Sequence, residues 1–293
     1  MILIDGKKIA LDIRNELKEK ISKIKNDTNR VPGLAAILVG ESPASKIYVS
    51  SKAKACEEIG MLSRVERLPE NISDVELIST VEKYNSDINF HGILVQLPLP
   101  KHINEDKVIE AISPDKDVDG FHPVSVGKLV IGKDTFIPCT PAGIQELLKR
   151  YNIATKGKHV VVLGRSNIVG KPIANILIQK KEFANSIVTI CHSAARDLKQ
   201  FTLQADILIA AIGKPEFVKA DMIKEGCVVI DVGINRIEDT NSAKGYRIVG
   251  DVDFENVSRK SSYITPVPGG VGPMTIAMLL SNTYKSFLTA SEK

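Results

Sequence analysis

The chain has 293 residues, of which 43% are hydrophobic and 25% are charged, a composition typical of a folded protein long enough for two domains. Its formal charge of +4 is spread along the sequence without a basic block, and no apolar run approaches the length of a membrane span. These features argue against a nucleic-acid-binding protein, a membrane protein and a disordered chain.

The N-terminal sequence and the cysteines indicate where the protein works. The first residues, MILIDGKKIALDIRNEL, have a short apolar start broken by Asp5 and two lysines, which lacks the central region of a signal peptide. No histidine pair has helical metal-binding spacing, and the cysteines lack the close pairs of a zinc site. We therefore expect no metal site. We also expect a cytoplasmic protein with reduced thiols at Cys56, Cys139, Cys191 and Cys227.

Apolar runs alternate with longer helical patterns, which is typical of a mainly parallel α/β sheet. The predicted strands are Leu34–Val39, Gly92–Gln96, Val160–Leu163, Ile187–Cys191, Ile207–Ala211 and Val228–Val232. Thr140 followed by Pro141 is a good N-cap and first-turn pair, and we place the domain boundary there. A last helix is predicted over Met274–Leu288.

A helix beginning at Ser42-Pro43 carries the first candidate site residues. Helical spacing places five residues in one stripe, namely Ala44, Tyr48, Lys52, Ala55 and Ile59. Lys52 either extends its amine to water or is held in a cleft, and helix geometry alone favours water. Tyr48 and Lys52 also match the Tyr-Lys spacing of short-chain dehydrogenases. That alternative is disfavoured because their glycine-rich turn precedes the pair, whereas here it follows.

Two further segments of the N-terminal half are candidates. Gln96 lies at the carboxyl end of a buried strand, where open α/β sheets bind ligands. It either belongs to a site or caps the strand end through a loop contact. The loop from Asp115 to Gly120 resembles the start of a calcium loop, but its twelfth position is Val126 instead of a bidentate Glu. We therefore reject calcium.

The stretch GRSNIVGKP follows a buried strand and predicts a phosphate-binding turn. Gly164 and Gly170 enclose five residues, and Pro172 stands where a mononucleotide P-loop needs a hydroxyl. The dinucleotide scheme fits better, with the small, hydroxyl-bearing Ser166 in place of the middle glycine. Considered alone, the turn leaves ligand binding and a purely steric role for its glycines equally open.

The following strand indicates which dinucleotide is bound. NAD sites usually place a carboxylate at its end, where it binds the adenine ribose. No carboxylate occurs here before Asp197, whereas Arg165, Lys171, Ser193 and Arg196 offer donors to a ribose phosphate. Any one of these side chains alone would be an ordinary solvated group. Their convergence on one predicted crevice favours NADP over NAD.

Six motifs in order resemble one family, the bifunctional methylenetetrahydrofolate dehydrogenase and methenyltetrahydrofolate cyclohydrolase. The resemblance runs nearly end to end. The motifs are YVSSK at 48–52, VQLPLP at 95–100, KDVDGFHP at 116–123, GRSNIVG at 164–170, DVGIN at 231–235 and TPVPGGVGP at 265–273.

The resemblance implies an α/β protein that oxidises 5,10-methylenetetrahydrofolate with NADP and hydrolyses the methenyl product to 10-formyltetrahydrofolate. It implies an N-terminal α/β catalytic and folate-binding domain over residues 1–139 and a Rossmann-type NADP-binding domain over 140–272. The C-terminal helix, 273–293, would return to the first domain. A homodimer is also implied.

The resemblance also assigns roles to residues. Lys52 is the acid/base group of hydrolysis, Gln96 is its hydrogen-bond partner, Tyr48 packs on the folate rings and Asp119 binds the donor edge of the pterin. The cofactor residues are Gly164, Arg165, Ser166, Gly170, Ser193 and Ile234. The loop residues that border the folate are Pro268, Gly269, Gly270 and Val271. A non-catalytic NADP-binding sensor with this fold is the remaining alternative, and the intact Lys52, Gln96 and Asp119 argue against it.

Overall fold

The computed structural model describes residues 1–240, 242 and 245–292. The chain divides into two compact units. The small-sheet unit comprises Leu11–Ile137 and the chain from Ile276 onward, and the large-sheet unit comprises Met1–Ala10 and Pro138–Thr275.

The elements alternate between strand and helix along most of the chain. In order they are β1 (Ile2–Leu3), α1 (Gly6–Thr28), β2 (Gly33–Val39), α2 (Pro43–Glu58), β3 (Leu62–Leu68), α3 (Asp74–Ser86), β4 (Gly92–Val95), α4 (Glu105–Ala111), α5 (Pro123–Val130), α6 (Cys139–Arg150), β5 (His159–Leu163), α7 (Gly170–Leu177), β6 (Ile187–Cys191), α8 (Lys199–Thr202), β7 (Ile207–Ala210), a 3₁₀ turn (Ala220–Met222), β8 (Val228–Asp231), β9 (Asn235–Glu238), β10 (Tyr246–Val249), α9 (Phe254–Ser258), β11 (Tyr263–Ile264) and α10 (Val271–Glu292). Among these described helices, none has the length and hydropathy needed to cross a bilayer.

The small-sheet unit is built on a three-stranded parallel sheet in the order β3-β2-β4. Every residue of β2 is buried, as expected for an apolar strand covered on both faces. The C-terminal helix belongs to this unit over most of its length. Asn282 on α10 donates through Nδ2 to the carbonyl oxygens of Val118 at 2.8 Å and Ile137 at 3.0 Å.

The large-sheet unit contains a six-stranded parallel sheet in the order β1-β11-β8-β7-β5-β6. Strand β5 lies between β6 and β7, with Leu163 paired to Cys191 on one side and Ala210 on the other. The carboxyl ends of these strands therefore lie at one edge, which is the ligand-binding edge of open α/β sheets. This arrangement confirms the predicted α/β class with a Rossmann-like parallel sheet.

The N-terminus differs from the predicted first domain, residues 1–139, because residues 1–10 lie in the large-sheet unit. Ile2 donates its backbone N–H to the Ser262 carbonyl at 2.7 Å, and Ile4 donates to Ile264 at 2.8 Å. Strand β1 thereby adds an edge to β11. Two residues of strand are too short to produce a periodic signal in the sequence.

Candidate active site

Lys52 lies on α2 and is buried, with only 9% of its surface exposed. Its Nζ donates to the Gln96 side-chain oxygen Oε1 at 3.1 Å. Gln96 is fixed in turn, because its Nε2 donates to the Leu97 carbonyl at 2.7 Å and its backbone N–H to Ile37 at 2.9 Å. Helix geometry alone favoured an amine extended to water, whereas the structure holds it against an amide at the end of β4.

Tyr48 lies one turn before Lys52 and is 47% exposed. The stripe predicted on this helix passes from exposed residues at its start, Ala44 and Tyr48, to buried residues at its end, Ala55 and Ile59. Lys52 occupies the point of transition. Its alkyl stem is covered by protein and a ring lies nearby at the surface, an arrangement that suits a flat ligand.

The Asp-rich loop is ordered by Asp117, which is 1% exposed. Its carboxylate accepts the backbone N–H groups of Phe121 at 3.2 Å and His122 at 3.0 Å. Burial, with a smaller contribution from the neighbouring charge of Asp119, raises the pKa of Asp117 to about 6 against these bonds and one to Ser125, which lower it. A bridge between Ile93 and Asp117 places the loop beside β4. Asp119 follows two residues later and is half-buried.

The glycine turn after β5 is closed by direct backbone packing. Gly164 has φ +133°, and a Cβ added there would lie 2.1 Å from the Ala211 carbonyl oxygen. A Cβ on Gly170 would lie 2.4 Å from the Gly164 carbonyl oxygen. Only glycine fits either position, so the strand can turn sharply into α7. Such a turn brings backbone amides and a helix start to one place, as dinucleotide binding requires.

Ser166 organises the start of α7. Its Oγ accepts the backbone N–H groups of Val169 at 3.1 Å and Gly170 at 3.3 Å. The residue expected to replace the middle glycine therefore also caps the turn.

Arg165 and Ser193 are exposed at the ends of neighbouring strands, where the Gly164 N–H bonds the Cys191 carbonyl at 2.9 Å. Asp197, the first carboxylate beyond β6, accepts the Lys199 N–H at 2.9 Å within its own turn. Two exposed donors thus lie at the predicted ribose end, and the first carboxylate after β6 binds within its own turn. This arrangement agrees with the basis of the NADP prediction.

The remaining predicted residues lie close together in the large-sheet unit. Ile234 is 54% exposed, and a Cβ on Gly272 would lie 3.6 Å from its Cδ1. The loop 268–271 is packed against the N-terminus of α1, where Lys7 donates its N–H to the Gly269 carbonyl at 2.9 Å. Gly270 has no room for a side chain, since a Cβ would lie 2.5 Å from the Pro266 carbonyl oxygen.

Sequence reasoning missed a pair of buried carboxylates, Asp231 and Asp251, which are 3% and 0% exposed. Asp231 appeared only within a motif, and Asp251 was not singled out. Asp231 directly follows the apolar residues of β8, and Asp251 follows β10 after one glycine, so a carboxylate at the end of an apolar strand was the available signal. Burial raises the pKa of Asp231 to about 7, against three backbone N–H groups that favour its charged form.

The cysteines are buried away from the surface. All four cysteines are buried and unbridged. Burial raises the pKa of the Cys191 thiol to about 11 and those of Cys56 and Cys227 to about 12, so these remain thiols at neutral pH. Within the described ranges, no three His, Cys, Asp or Glu side chains are grouped to hold a metal ion.

These features define a class, an α/β protein with a dinucleotide-type turn in one unit and a buried lysine–amide pair in the other. Family models match both parts. Residues 4–119 match the tetrahydrofolate dehydrogenase/cyclohydrolase catalytic domain, and residues 138–291 match the NAD(P)-binding domain of the same family. The chain belongs to the tetrahydrofolate dehydrogenase/cyclohydrolase family.

Individual relatives are similar to this chain over nearly its whole length. The bifunctional protein FolD of Chloroherpeton thalassium is 61% identical over 289 residues, which cover 98% of each chain. The crystal structure of the bifunctional enzyme FolD, methylenetetrahydrofolate dehydrogenase/cyclohydrolase, from Campylobacter jejuni is 53% identical, with a TM-score of 0.93 and 99% of each chain covered. The Trypanosoma brucei methylenetetrahydrofolate dehydrogenase-cyclohydrolase, solved with NADP and an inhibitor, is 38% identical, with a TM-score of 0.94 over 100% of this chain and 99% of that one.

Proposed function

We propose that this protein oxidises 5,10-methylenetetrahydrofolate with NADP and hydrolyses the resulting methenyl cation to 10-formyltetrahydrofolate. The observation that carries the proposal is the buried Lys52 amine held by Gln96 in a chain whose other unit contains the glycine turn. The full-length relatives named above are bifunctional dehydrogenase/cyclohydrolases. They support this function over a short-chain dehydrogenase or a non-catalytic NADP sensor.

The large-sheet unit is the proposed cofactor domain. NADP bound there would supply the hydride acceptor for oxidation of the methylene carbon. The residues of this chain have the task of binding and alignment. Gly164 and Gly170 let the backbone approach the pyrophosphate, and Ser166 keeps a hydroxyl hydrogen to donate. Arg165 and Ser193 bind the ribose phosphate.

Ile234 is proposed to contact the cofactor, and the loop 268–271 to border the folate. Gly272 directly follows this loop, and a Cβ added to it would lie 3.6 Å from the Ile234 Cδ1. This short distance supports placing the two segments at one site. Both lie in the large-sheet unit.

The hydrolytic step is assigned to Lys52. Water adds to the methenyl carbon and loses one proton. The hydroxyl so formed loses its own proton as the bond from that carbon to one ring nitrogen breaks, that nitrogen gains a proton, and one proton is released overall. A neutral lysine amine can take the first proton and return one to the leaving nitrogen. The bond to Gln96 uses one N–H of the amine and fixes the position of the nitrogen.

Tyr48 and Asp119 are proposed to hold the folate in the small-sheet unit. The half-exposed Tyr48 ring offers a stacking face one turn from Lys52. A carboxylate accepts the adjacent ring N–H and amino group of a pterin with its two oxygens, which suits Asp119. Buried Asp117 keeps the loop in shape by binding its backbone.

The proposal also includes an oligomeric state and a location in the cell. The dimeric state implied by the family resemblance is proposed for this chain, and so is a cytoplasmic location, which agrees with the four free cysteines.

A spectroscopic assay of the purified protein tests the function. Methylenetetrahydrofolate is supplied with NADP or with NAD, and reduced cofactor and methenyl absorbance are followed together. We expect reduction of NADP, faster than of NAD, and hydrolysis of added methenyltetrahydrofolate without any cofactor. A protein that binds NADP but turns over neither folate would support the sensor alternative and contradict the proposal.

A further inference from the structure

The carboxylate of Asp251 binds the two loops that follow β7 and β8 in the large-sheet unit. Its Oδ2 accepts the backbone N–H groups of Ile212 at 2.7 Å and Gly213 at 2.8 Å. Its Oδ1 accepts the Asn235 side-chain Nδ2 at 2.9 Å. Asp251 is 0% exposed, so each of these bonds is made away from water.

The first of these loops touches the glycine turn. Ala211, directly before the residues held by Asp251, has the carbonyl oxygen that would lie 2.1 Å from a Cβ on Gly164. Strands β7 and β5 are also paired up to Ala210 and Leu163. A displacement of Ile212 and Gly213 would therefore be transmitted to the turn at which phosphate binding is proposed.

The second loop carries the proposed cofactor contact. Asn235 follows Ile234 directly, so the bond from Asn235 to Asp251 fixes the backbone on which Ile234 is presented. Gly233, on the other side of Ile234, makes room for the carboxylate, since a Cβ there would lie 2.4 Å from the Asp251 Oδ1. The close approach thus depends on glycine at this position.

Asp231 holds Asp251 in place. Its Oδ1 accepts the backbone N–H of Asp251 at 2.9 Å and that of Gly233 at 2.9 Å, and its Oδ2 accepts Val252 at 3.0 Å. A Cβ on Gly250 would lie 1.8 Å from the Asp231 Oδ2, so only glycine permits this contact. The Asp231 carboxylate therefore fixes the backbone of residues 250–252.

We propose that Asp251 is a positioning residue for the nicotinamide cofactor, which sets the loops after β7 and β8 at the mouth of the glycine turn. It touches neither cofactor nor folate and acts through Ile212, Gly213 and Asn235. This inference rests on the proposed NADP-dependent function. The lysine of the hydrolytic step lies in the other unit, so the loss should fall selectively on cofactor binding.

The test measures NADP binding by calorimetry on the full chain and, separately, cofactor-free hydrolysis of methenyltetrahydrofolate. Asp251→Asn preserves side-chain size and removes the charge. We expect its NADP dissociation constant to rise by at least about 10-fold, because misplacement of aligned groups by about 1 Å has effects of this size or larger. Hydrolysis and the circular dichroism spectrum should stay close to wild type.

Asp253→Asn is the matched control, because Asp253 lies two residues further along and caps α9 by accepting the Asn256 N–H. It should leave NADP binding unchanged. A folded Asp251→Asn protein with wild-type NADP affinity would overturn the inference. So would parallel losses of NADP affinity and hydrolysis, which indicate a merely structural role.

Asn235→Ala provides the test if Asp251→Asn does not fold. It removes one of the three bonds to the Asp251 side chain and leaves the other two, so it should weaken NADP binding about two- to tenfold, the range for the typical net contribution of one hydrogen bond. Unchanged affinity would overturn the inference. The wild-type titration separates this result from failure of the proposed function, since a wild-type chain that binds no NADP refutes the function itself.

Discussion

Arg165 and Ser193 distinguish this chain from an NAD-binding pattern at the level of single side chains. They occupy the exposed ends of β5 and β6, and the dinucleotide scheme for NAD has a carboxylate at the end of the strand that corresponds to β6. A guanidinium beside a ribose phosphate gains a charge-assisted bond, whereas the same group beside a plain ribose gains little.

We expect Arg165→Ala to weaken NADP binding about 10- to 100-fold, because a charge-assisted hydrogen bond contributes about 1.5 to 3 kcal/mol. NAD binding should hardly change. Calorimetric titration with each cofactor measures both. Arg259→Ala, which removes an exposed arginine paired with Glu255 on α9, is the control. Equal losses for NADP and NAD would refute a phosphate contact at Arg165.

Asp119 and Asp117 show how two neighbouring carboxylates take different tasks. Asp117 is buried and binds the backbone of its own loop, whereas Asp119 is half-buried beside β4. We expect Asp119→Ala to raise the folate KM in both reactions, because loss of a charged partner in a binding site costs at least about 2 kcal/mol. Steady-state kinetics of both steps measure the effect.

Asp134→Ala is the control for Asp119, since the Asp134 side chain is 87% exposed and pairs with Lys285. If Asp119→Ala keeps the wild-type folate KM for oxidation and for hydrolysis, the pterin contact is assigned to the wrong residue.

The junction of β5 and α7 is the element on which the proposed cofactor binding depends. Gly164 combines a positive φ with a steric restriction, because a Cβ would lie 2.1 Å from Ala211. Gly157 also has positive φ, +72°, but a Cβ there would meet nothing within 4 Å. A substitution at Gly157 therefore tests the cost of the positive φ alone, whereas one at Gly164 tests that cost together with the steric clash.

Gly164→Ala should destabilise the protein by more than Gly157→Ala, for which the left-handed conformation alone costs about 1 to 2 kcal/mol. It should also reduce NADP affinity, because the turn must open to admit the methyl group. Urea unfolding and cofactor titration measure the two effects. Equal free energies of unfolding for the two variants would contradict the packing described for the turn.

The buried parallel strands are the elements most readily predicted from the sequence. Strands β2 and β4 to β8 agree with their predicted bounds to within one residue at each end. The continuous apolar runs of β2, β4, β5, β7 and β8 reflect burial on both faces of the sheet, whereas β6 is an edge strand in which Ile187 is 63% exposed. Strand β3, with the sequence LSRVERL, was not predicted because it lies at a sheet edge and its apolar residues are separated by pairs of polar residues, which is not the period of a strand.

The C-terminal helix also extends beyond its prediction, Met274–Leu288, to Val271–Glu292. Pro273 was treated as preceding the helix, but a proline is tolerated in a first turn because its missing N–H would have no helical partner there.

The candidate site illustrates what a single sequence conveys at the scale of the whole molecule. The Gly164–Gly170 turn is predictable because its backbone demands particular residues. The contact between Lys52 and Gln96 joins a helix and a strand 44 residues apart, and no local pattern determines it. The Asp231–Asp251 pair escaped prediction for the same reason, since its partners are backbone groups of distant loops.

Two activities are proposed for one chain, and the hydrolytic step is assigned to a single amine, that of Lys52. Replacing Lys52 by methionine keeps the buried alkyl stem and removes the nitrogen bonded to Gln96, so the helix should stay packed. General acid/base groups contribute about 100- to 10,000-fold to rate. We therefore expect Lys52→Met to lose hydrolysis by that factor, while oxidation falls much less and methenyltetrahydrofolate is released.

The decisive measurement follows methenyl absorbance during turnover of Lys52→Met with methylenetetrahydrofolate and NADP, and assays hydrolysis of added methenyltetrahydrofolate in parallel. Lys54→Met is the matched control, because the Lys54 side chain is 77% exposed on the same helix. Circular dichroism verifies the fold of both variants. The account predicts accumulation of the methenyl product with Lys52→Met and not with Lys54→Met. Wild-type hydrolysis by a folded Lys52→Met protein would contradict it.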